Sequence, residues 1–326
     1  MPGAVTEAGG GASAAPTTPR PCPICRDHTT VTLNGPQQRW RYSRCQRCTH
    51  LWLTPTPSTA ELTEFYNSAY LVPREAYLRG TDHVWPTLRH LVQSLYPDPG
   101  RMLEVGCSYG AVLDFFQREG WDVEGIEIDA RAAAYARQFF GLRIHEGRLE
   151  DVQSDLRPPY DLIGLYHVLE HMPDPMQFVR RLLPLARPGS VLLIRTPNAS
   201  SLAARAMGAW WEWCAAPEHV HVFSRMSLER LLAEGGWRTE WLQTRRGDAH
   251  STLFEVFRAT AKRVLMADRS SDRLAPQIPI SSRGWFRRTE WATDMVGAPV
   301  EWALRSLWDA GWHRGPELWV VGRRES

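Results

Sequence analysis

LEVGCSYG, residues 103–110, is the stretch on which the reading of this chain turns. Leu103, Glu104 and Val105 close a buried strand, Gly106 and Gly110 bracket a turn, and AVLDFFQREG continues as an amphipathic helix. A strand–turn–helix unit of this kind holds a ligand at the carboxyl end of its strand. A pyrophosphate requires G-x-G-x-x-G there, so that backbone and helix N-terminus can approach the phosphates. Here Ser108 takes the middle glycine position, and the Glu104 carboxylate stands two residues before the first glycine. Opposite charges ~4 Å apart attract even at intermediate dielectric, so the turn suits a cationic ligand better than a pyrophosphate. A nicotinamide oxidoreductase is disfavoured on the same ground.

Outward from this turn, RMLEVG, DVEGIEI, LRIHE, YDLIGLYHV, SVLLIRTPN and WRTEWLQTR read as strands, and helical stretches separate most of them. That alternation predicts a parallel sheet with helices on both faces and ligands at the strands' carboxyl ends. PELWVVGRR reads as a final strand that returns to the sheet edge. A second acidic position, Glu127, lies 23 residues beyond Glu104 at the end of the next strand, where a carboxylate can accept both hydroxyls of a ribose. Asp129 is the alternative, although its position before ARAAAYARQFF is that of a helix N-cap. S-adenosylmethionine meets these requirements, since it carries an ammonium, a sulfonium and a ribose but no phosphate.

The N-terminal part has a different chemistry. Residues 1–20 are rich in Gly, Ala, Pro and Thr and are expected to be a disordered tail. Cys22, Cys25, Cys45 and Cys48 then form two C-x-x-C knuckles separated by nineteen residues, the spacing of a structural four-thiolate zinc site. TVTL and RWRYS alternate around the turn signal NGP between them and predict a hairpin. Residues 21–55 are therefore expected to be a zinc ribbon, with His28 and His50 as bystanders. Residues 56–97 follow the TPTPS link with helical patterning in STAELTEFYNSAY and HVWPTLRHLVQSLY, and Ser58 or Thr59 with Glu61 marks a helix start. This cap brings Tyr66 and Tyr70 toward the pocket or into the core.

EVGCSYG, GIEID, YDLIGLYHVLEHMPDP and RPGSVLLIRTPN, in that order, resemble the successive motifs of class I S-adenosylmethionine-dependent methyltransferases. The likeness spans residues 98–245, and it implies an α/β, Rossmann-like core carrying an N-terminal zinc ribbon and helical insertions. It places Glu104, Gly106, Ser108, Tyr109 and Gly110 around the methionine moiety and Glu127 with Ile128 at the ribose. Gly147, Arg148, Leu149 and Glu150 flank the adenine, with backbone contacts from Leu149 and Glu150. Tyr166 and His167 lie beside the transferred methyl, and Glu170 and His171 open the next segment. Quinone-pathway O-methyltransferases with a similar E-H pair are thought to bind a divalent cation, but the few carboxylates near Glu170 give no ground for a catalytic metal here.

Methyl transfer to an oxygen requires a proton acceptor, and histidine titrates in the right range. In APEHVHVFS, His219 and His221 flank Val220, and only one of them is expected to face the pocket. His219 matches the resemblance best, while His221, His171 and His167 remain alternatives. Glu218–His219 and the four-cysteine ribbon together resemble the deoxysugar methyltransferases of antibiotic pathways. In those enzymes a Tyr precedes this pair where Ala216 stands here, and a longer second α/β domain follows. The expectation is therefore O-methylation of a sugar or other specialised metabolite, with deoxysugar C-methylation and RNA methylation through the zinc module as alternatives. Residues 246–326 are expected to form a Trp-rich helical insertion, with Trp291, Trp302 and Trp308 as lid or core, and the final strand.

Bulk composition agrees with a metabolite enzyme. The net charge is +2 and Lys262 is the sole lysine among 38 basic residues, which is no footprint for nucleic acid. No apolar run approaches the roughly 18 residues of a membrane span, and the N-terminus lacks a secretory pattern, so a cytoplasmic protein is expected. The acceptor's identity and the oligomeric state stay open at this level.

Overall fold

A computed structural model describes residues 20–36, 39–69, 77, 85–245 and 315–325. Tyr70, the expected N-terminal tail up to residue 19 and the expected Trp-rich insertion with Trp291, Trp302 and Trp308 lie outside the described residues. Among the described residues, no helix is long and apolar enough to cross a membrane.

Two sheets organise the chain. The first is built from β1 (Thr30–Leu33), β2 (Arg41–Cys45) and β3 (Leu51–Thr54), so LWLT, ahead of the TPTPS link, is itself a strand of the ribbon. The second is laid down by β4 (Arg101–Val105), β5 (Asp122–Glu127), β6 (Ile144–Glu146), β7 (Tyr160–Tyr166) and β8 (Ala186–Pro197), all mutually parallel. A two-residue strand, β9 (His221–Val222), leaves this core and pairs antiparallel with β3. The sequence carries no signal for that fourth ribbon strand. β10 (Trp237–Arg245) and β11 (Glu317–Arg324) complete the large sheet in the order β10-β11-β8-β7-β4-β5-β6.

The expected return of PELWVVGRR to the sheet edge is corrected here, because β11 is wedged antiparallel between β8 and β10. Glu317 to Gly322 are buried, and such a run needs a neighbour on each side and cover on each face. The edge falls to β10. The same logic explains YDLIGLY, whose continuous apolar run is buried throughout β7 as far as Leu165.

Helices cover both faces. α1 (Thr59–Ala69) begins with a reciprocal cap in which the Ser58 amide donates to Glu61 and the Glu61 amide donates to Ser58 Oγ. α2 (Trp85–Leu95), α3 (Ala111–Arg118) and α4 (Ala130–Phe140) bury Leu88, Val92, Leu113, Phe116 and Ala136 with Met102 and Leu162 of the sheet. On the other face α5 (Pro175–Arg181) and α6 (Arg225–Glu234) bury Phe178, Val179, Leu228 and Leu232 with Leu103, Ile163 and Leu165. The four ribbon cysteines, Ile24 and Trp52 belong to this second cluster. The ribbon thus shares the core of the large sheet.

Gly110 shows how tightly the first turn is set. It sits at φ +82°, and a Cβ there would lie 2.6 Å from Leu142 Cδ1 and 2.9 Å from Ala136 Cβ. Gly110→Ala is expected to lose about 1–3 kcal/mol of stability from backbone strain and the clash with α4. Urea unfolding measures this, and an unchanged midpoint would remove the steric account.

Candidate active site

The turn expected to hold the cofactor is assembled at the carboxyl edge of β4 and β5. The amides of Gly106 and Cys107 both donate to the Ile126 carbonyl, at 2.8 and 3.1 Å, which turns the chain back over β5. Gly106 and Ser108 both have positive φ, and a Cβ on Gly106 would meet Val168 at 2.6 Å. The Ser108 amide then points at Glu127 Oε2 (2.7 Å), while the Asp129 amide donates to Oε1 (2.8 Å). Burial pushes the Glu127 carboxyl up, against the pull of those two amides. Asp129 caps α4 by accepting from the amides of Arg131 and Ala132.

Glu104 differs from its neighbours. It is 1% exposed, burial pushes its carboxyl well up, and its Oε2 has no hydrogen-bond partner among the described residues. Tyr166, two residues past the Gly164 that faces Glu104 in the ladder, also has a buried hydroxyl without a partner among the described residues. Tyr109 is buried with its ring against Tyr77 and Tyr135, whereas Ile128 is exposed. Past β6, Leu149 is buried and Glu150 exposed, and Arg148 donates to Thr63 Oγ1, tying α1 over that loop. On α1, the Tyr66 ring meets His171 edge-on at 6.2 Å.

The second half of the site lies past β7. His167 takes the left-handed conformation at φ +55°, and its two ring nitrogens face Glu170 Oε1 (3.0 Å) and Glu317 Oε1 (3.4 Å). Burial and Arg195 oppose a charge on this imidazole, but the bonds to Glu170 and Glu317 outweigh them and lift its pKa to about 9. The same contacts overcome burial of the two carboxyls and bring each down to about 2. Glu317 also makes a two-pronged pair with Arg195 at 2.8 and 2.8 Å, and Thr196 Oγ1 donates to Glu170 Oε2 at 2.9 Å.

His171 and His219 are held differently. Nδ1 of His171 meets the Glu218 carbonyl at 3.0 Å, and Nδ1 of His219 meets the Trp213 carbonyl at 2.7 Å. A carbonyl only accepts, so each Nδ1 carries the proton and each Nε2 keeps its lone pair. Burial, and for His171 also the neighbouring His219, holds both below the usual histidine range, so both are neutral at pH 7. One ligand atom from each of Glu170, His171 and His219 lies within 4.8 Å of the others. Trp213 stacks on His167 and on His219, with centroids 5.0 and 5.6 Å apart. His221 points the other way, against His50 of the ribbon at 3.0 Å.

The structure therefore brings His167, Glu170, His171, Glu218 and His219 together beyond β7, and Glu104, Gly106, Ser108 and Glu127 at the turn, whereas Tyr166, the last residue of β7, packs on the Met102 and Leu162 side of the sheet and does not join the histidine cluster. Sequence reasoning missed Glu317, Arg195, Thr196 and Trp213. Glu317 begins the antiparallel β11, opposite Pro197, so its first residue arrives at the carboxyl edge of the parallel strands. Only the strand order could have located it.

Glu317→Gln leaves Arg195 and His167 short of a carboxylate in a buried site, and a loss of about 3–5 kcal/mol is expected in urea unfolding. The pH profile follows from the shifts. The raised His167 contributes stability that is complete below ~6.5 and lost as pH rises through about 9. The lowered Glu170 and Glu317 contribute stability that is complete above ~4.5 and lost as pH falls toward about 2. Unfolding midpoints in wild type should thus peak between those limits, and a flat profile would contradict the network.

Residues 77–240, half of the chain, match the family described as "Methyltransferase domain". The chain is 28% identical over 184 residues to a ubiquinone biosynthesis O-methyltransferase of Albidiferax ferrireducens, covering 53% of this chain and 73% of that protein. It is 26% identical over 204 residues to the enzyme of the same name from Paracidovorax citrulli, covering 59% of this chain and 86% of that protein. A SAM-dependent methyltransferase structure from Archaeoglobus fulgidus superposes with a TM-score of 0.47 at 13% identity, covering 76% of this chain and 99% of that one. The parallel sheet and its glycine turn agree with the family match, and the chain belongs to the methyltransferase domain family as an S-adenosylmethionine-dependent enzyme.

Proposed function

We propose that the enzyme methylates a hydroxyl oxygen of a small molecule, a sugar or other specialised metabolite, with His219 as general base. The observation that carries this reading is the fixed tautomer of His219, whose Nδ1–H is spent on the Trp213 carbonyl. Its Nε2 lone pair is neutral at pH 7 and lies beside His171. His167 is unsuited to the task, because with a pKa of about 9 it already holds its proton at neutral pH. His221 is turned into the ribbon. The O-methyltransferase names of the relatives support an oxygen acceptor on a small molecule.

The cofactor end suits S-adenosylmethionine. Glu104 offers a buried acceptor oxygen without a partner to an ammonium, and the positive-φ turn at Gly106 and Ser108 leaves its inner side free of Cβ bulk at Gly106. Glu127, at the end of the adjacent strand, retains lone pairs for ribose hydroxyls beyond the two amides it accepts. Bound S-adenosylmethionine supplies an electrophilic methyl on sulfonium. His219 Nε2 would take the proton that the acceptor hydroxyl gives up as its oxygen is methylated. Tyr66 and His171, whose rings meet edge-on, would flank the acceptor beside His219. Alignment of this kind lowers barriers by ~7–11 kcal/mol, and the base adds roughly 10²- to 10⁴-fold.

The cluster of Glu170, His171 and His219 favours a second reading, in which one carboxylate and two imidazoles hold a divalent cation against the acceptor oxygen. The ribbon is assigned structural zinc. Its Sγ atoms pair at 3.6 Å (Cys22–Cys48) and 3.4 Å (Cys25–Cys45), near the separation of about 3.8 Å that tetrahedral zinc–thiolate bonds produce.

Labelled methyl from S-adenosylmethionine should enter a pool of nucleotide sugars, glycosides or aglycone metabolites. His219→Ala should cut that transfer roughly 10²- to 10⁴-fold with cofactor affinity intact. Since the base loses activity only when protonated, the rate should climb with pH to a plateau already reached below neutrality. Label in bulk RNA would overturn the reading, and transfer abolished by a chelator that spares the thiolate zinc would favour the cation. Complete demetallation should lower the melting temperature, because a closed zinc site contributes folding energy. An unaltered melting curve would remove zinc from the ribbon.

A further inference from the structure

His219 closes a turn in which its amide donates to the Ala215 carbonyl at 2.9 Å, whereas His221 opens β9, so the two face different partners although they stand only two residues apart. The segment that follows this turn is held by the ribbon. β9 pairs with β3 so that Trp52 faces His221 and Leu51 faces Val222, and the Leu53 amide donates to the Val220 carbonyl at 2.9 Å. In this register His221 is drawn against His50 Nε2 at 3.0 Å, with the His50 ring among Trp52, His221 and Phe223. A slip of two residues would set His219 opposite Trp52 in the place of His221.

The clamp continues on both sides. The buried Tyr42 hydroxyl of β2 donates to the main-chain carbonyl of His219 itself at 2.6 Å. Ser224, which caps α6, donates to the carbonyl of Cys48, one of the four thiolate residues. Each link runs from the ribbon to the segment 219–224, and Cys45 and Cys48 lie on the ribbon side of them. No link reaches the reacting atoms, so the ribbon acts through His219.

We propose that the ribbon is a register clamp for the methyltransferase base, with Tyr42 as its principal positioning residue, so that order at the four thiolates sets the aim of the His219 imidazole. This rests on the reading of His219 as the base. Removing the Tyr42 hydroxyl leaves the ring in place but frees the His219 carbonyl, and the bond from His219 Nδ1 to Trp213 loosens with it.

The test uses the zinc-loaded full chain with ¹⁵N-labelled histidine and S-adenosylhomocysteine as the bound probe. Long-range ¹H–¹⁵N spectra, assigned with His219→Ala, report the His219 tautomer without any acceptor. Wild type should show one Nδ1–H tautomer. Tyr42→Phe should show a mixture, with zinc content and affinity for S-adenosylhomocysteine unchanged, and labelled-methyl transfer should fall about tenfold or more. His50→Leu should act in the same direction and His50→Gln, which keeps a polar nitrogen near Nε2, should restore the single tautomer. An unchanged His219 signal in both Tyr42→Phe and His50→Leu overturns the clamp. A changed tautomer with undiminished transfer upholds the clamp and sinks His219 as the base instead.

Discussion

Two residues, His221 and Val222, hydrogen-bond to β3, and that short ladder joins the cysteine ribbon to the large sheet. The ladder is small, yet the surrounding groups depend on its register. With His221 committed to the ribbon, His219 is left to the site, and its carbonyl, its Nδ1–H and its ring are each engaged by Tyr42, Trp213 and His171. The ribbon cysteines and Trp52 are buried in the same cluster as Phe223 and Leu228, so the ladder is held from both ends by apolar burial. Strand registers are well specified where one face is buried, and here both neighbours of the ladder are.

A buried charge network stands behind the site. His167, Arg195, Glu170 and Glu317 bring two positive and two negative groups out of water together. Isolated, each would carry a heavy desolvation cost, but grouped they offset one another, which is why the imidazole rises to about 9 while both carboxyls fall to about 2. His167 in this state is a fixed cation stacked on Trp213, and Trp213 in turn holds the tautomer of His219. The final strand supplies Glu317, so the last segment of the chain braces a site made mostly by its middle.

The cofactor end works by the opposite device. There Glu104 is buried with no partner for its Oε2 among the described residues, and in the proposed reading that oxygen meets the ammonium of the cofactor. A pyrophosphate would worsen that situation, whereas an ammonium relieves it.

Much of this was legible in the residues. The turn 103–110, the alternating strands, the thiolate spacing and the Ser58–Glu61 cap are local patterns, and each appears where its period, spacing or capping chemistry places it. The sequence also offered His219 and His221 as two candidates for one place at the pocket. It did not reveal which, because that depends on pairing between β3 and β9, whose residues are some 170 positions apart. The place of β11 between β8 and β10, the arrival of Glu317 beside His167 and the convergence of Glu170 with His219 were undetermined for the same reason. Periodicity and motif spacing are properties of neighbours along the chain, whereas strand order and register are settled by which buried faces and buried charges can satisfy one another in three dimensions.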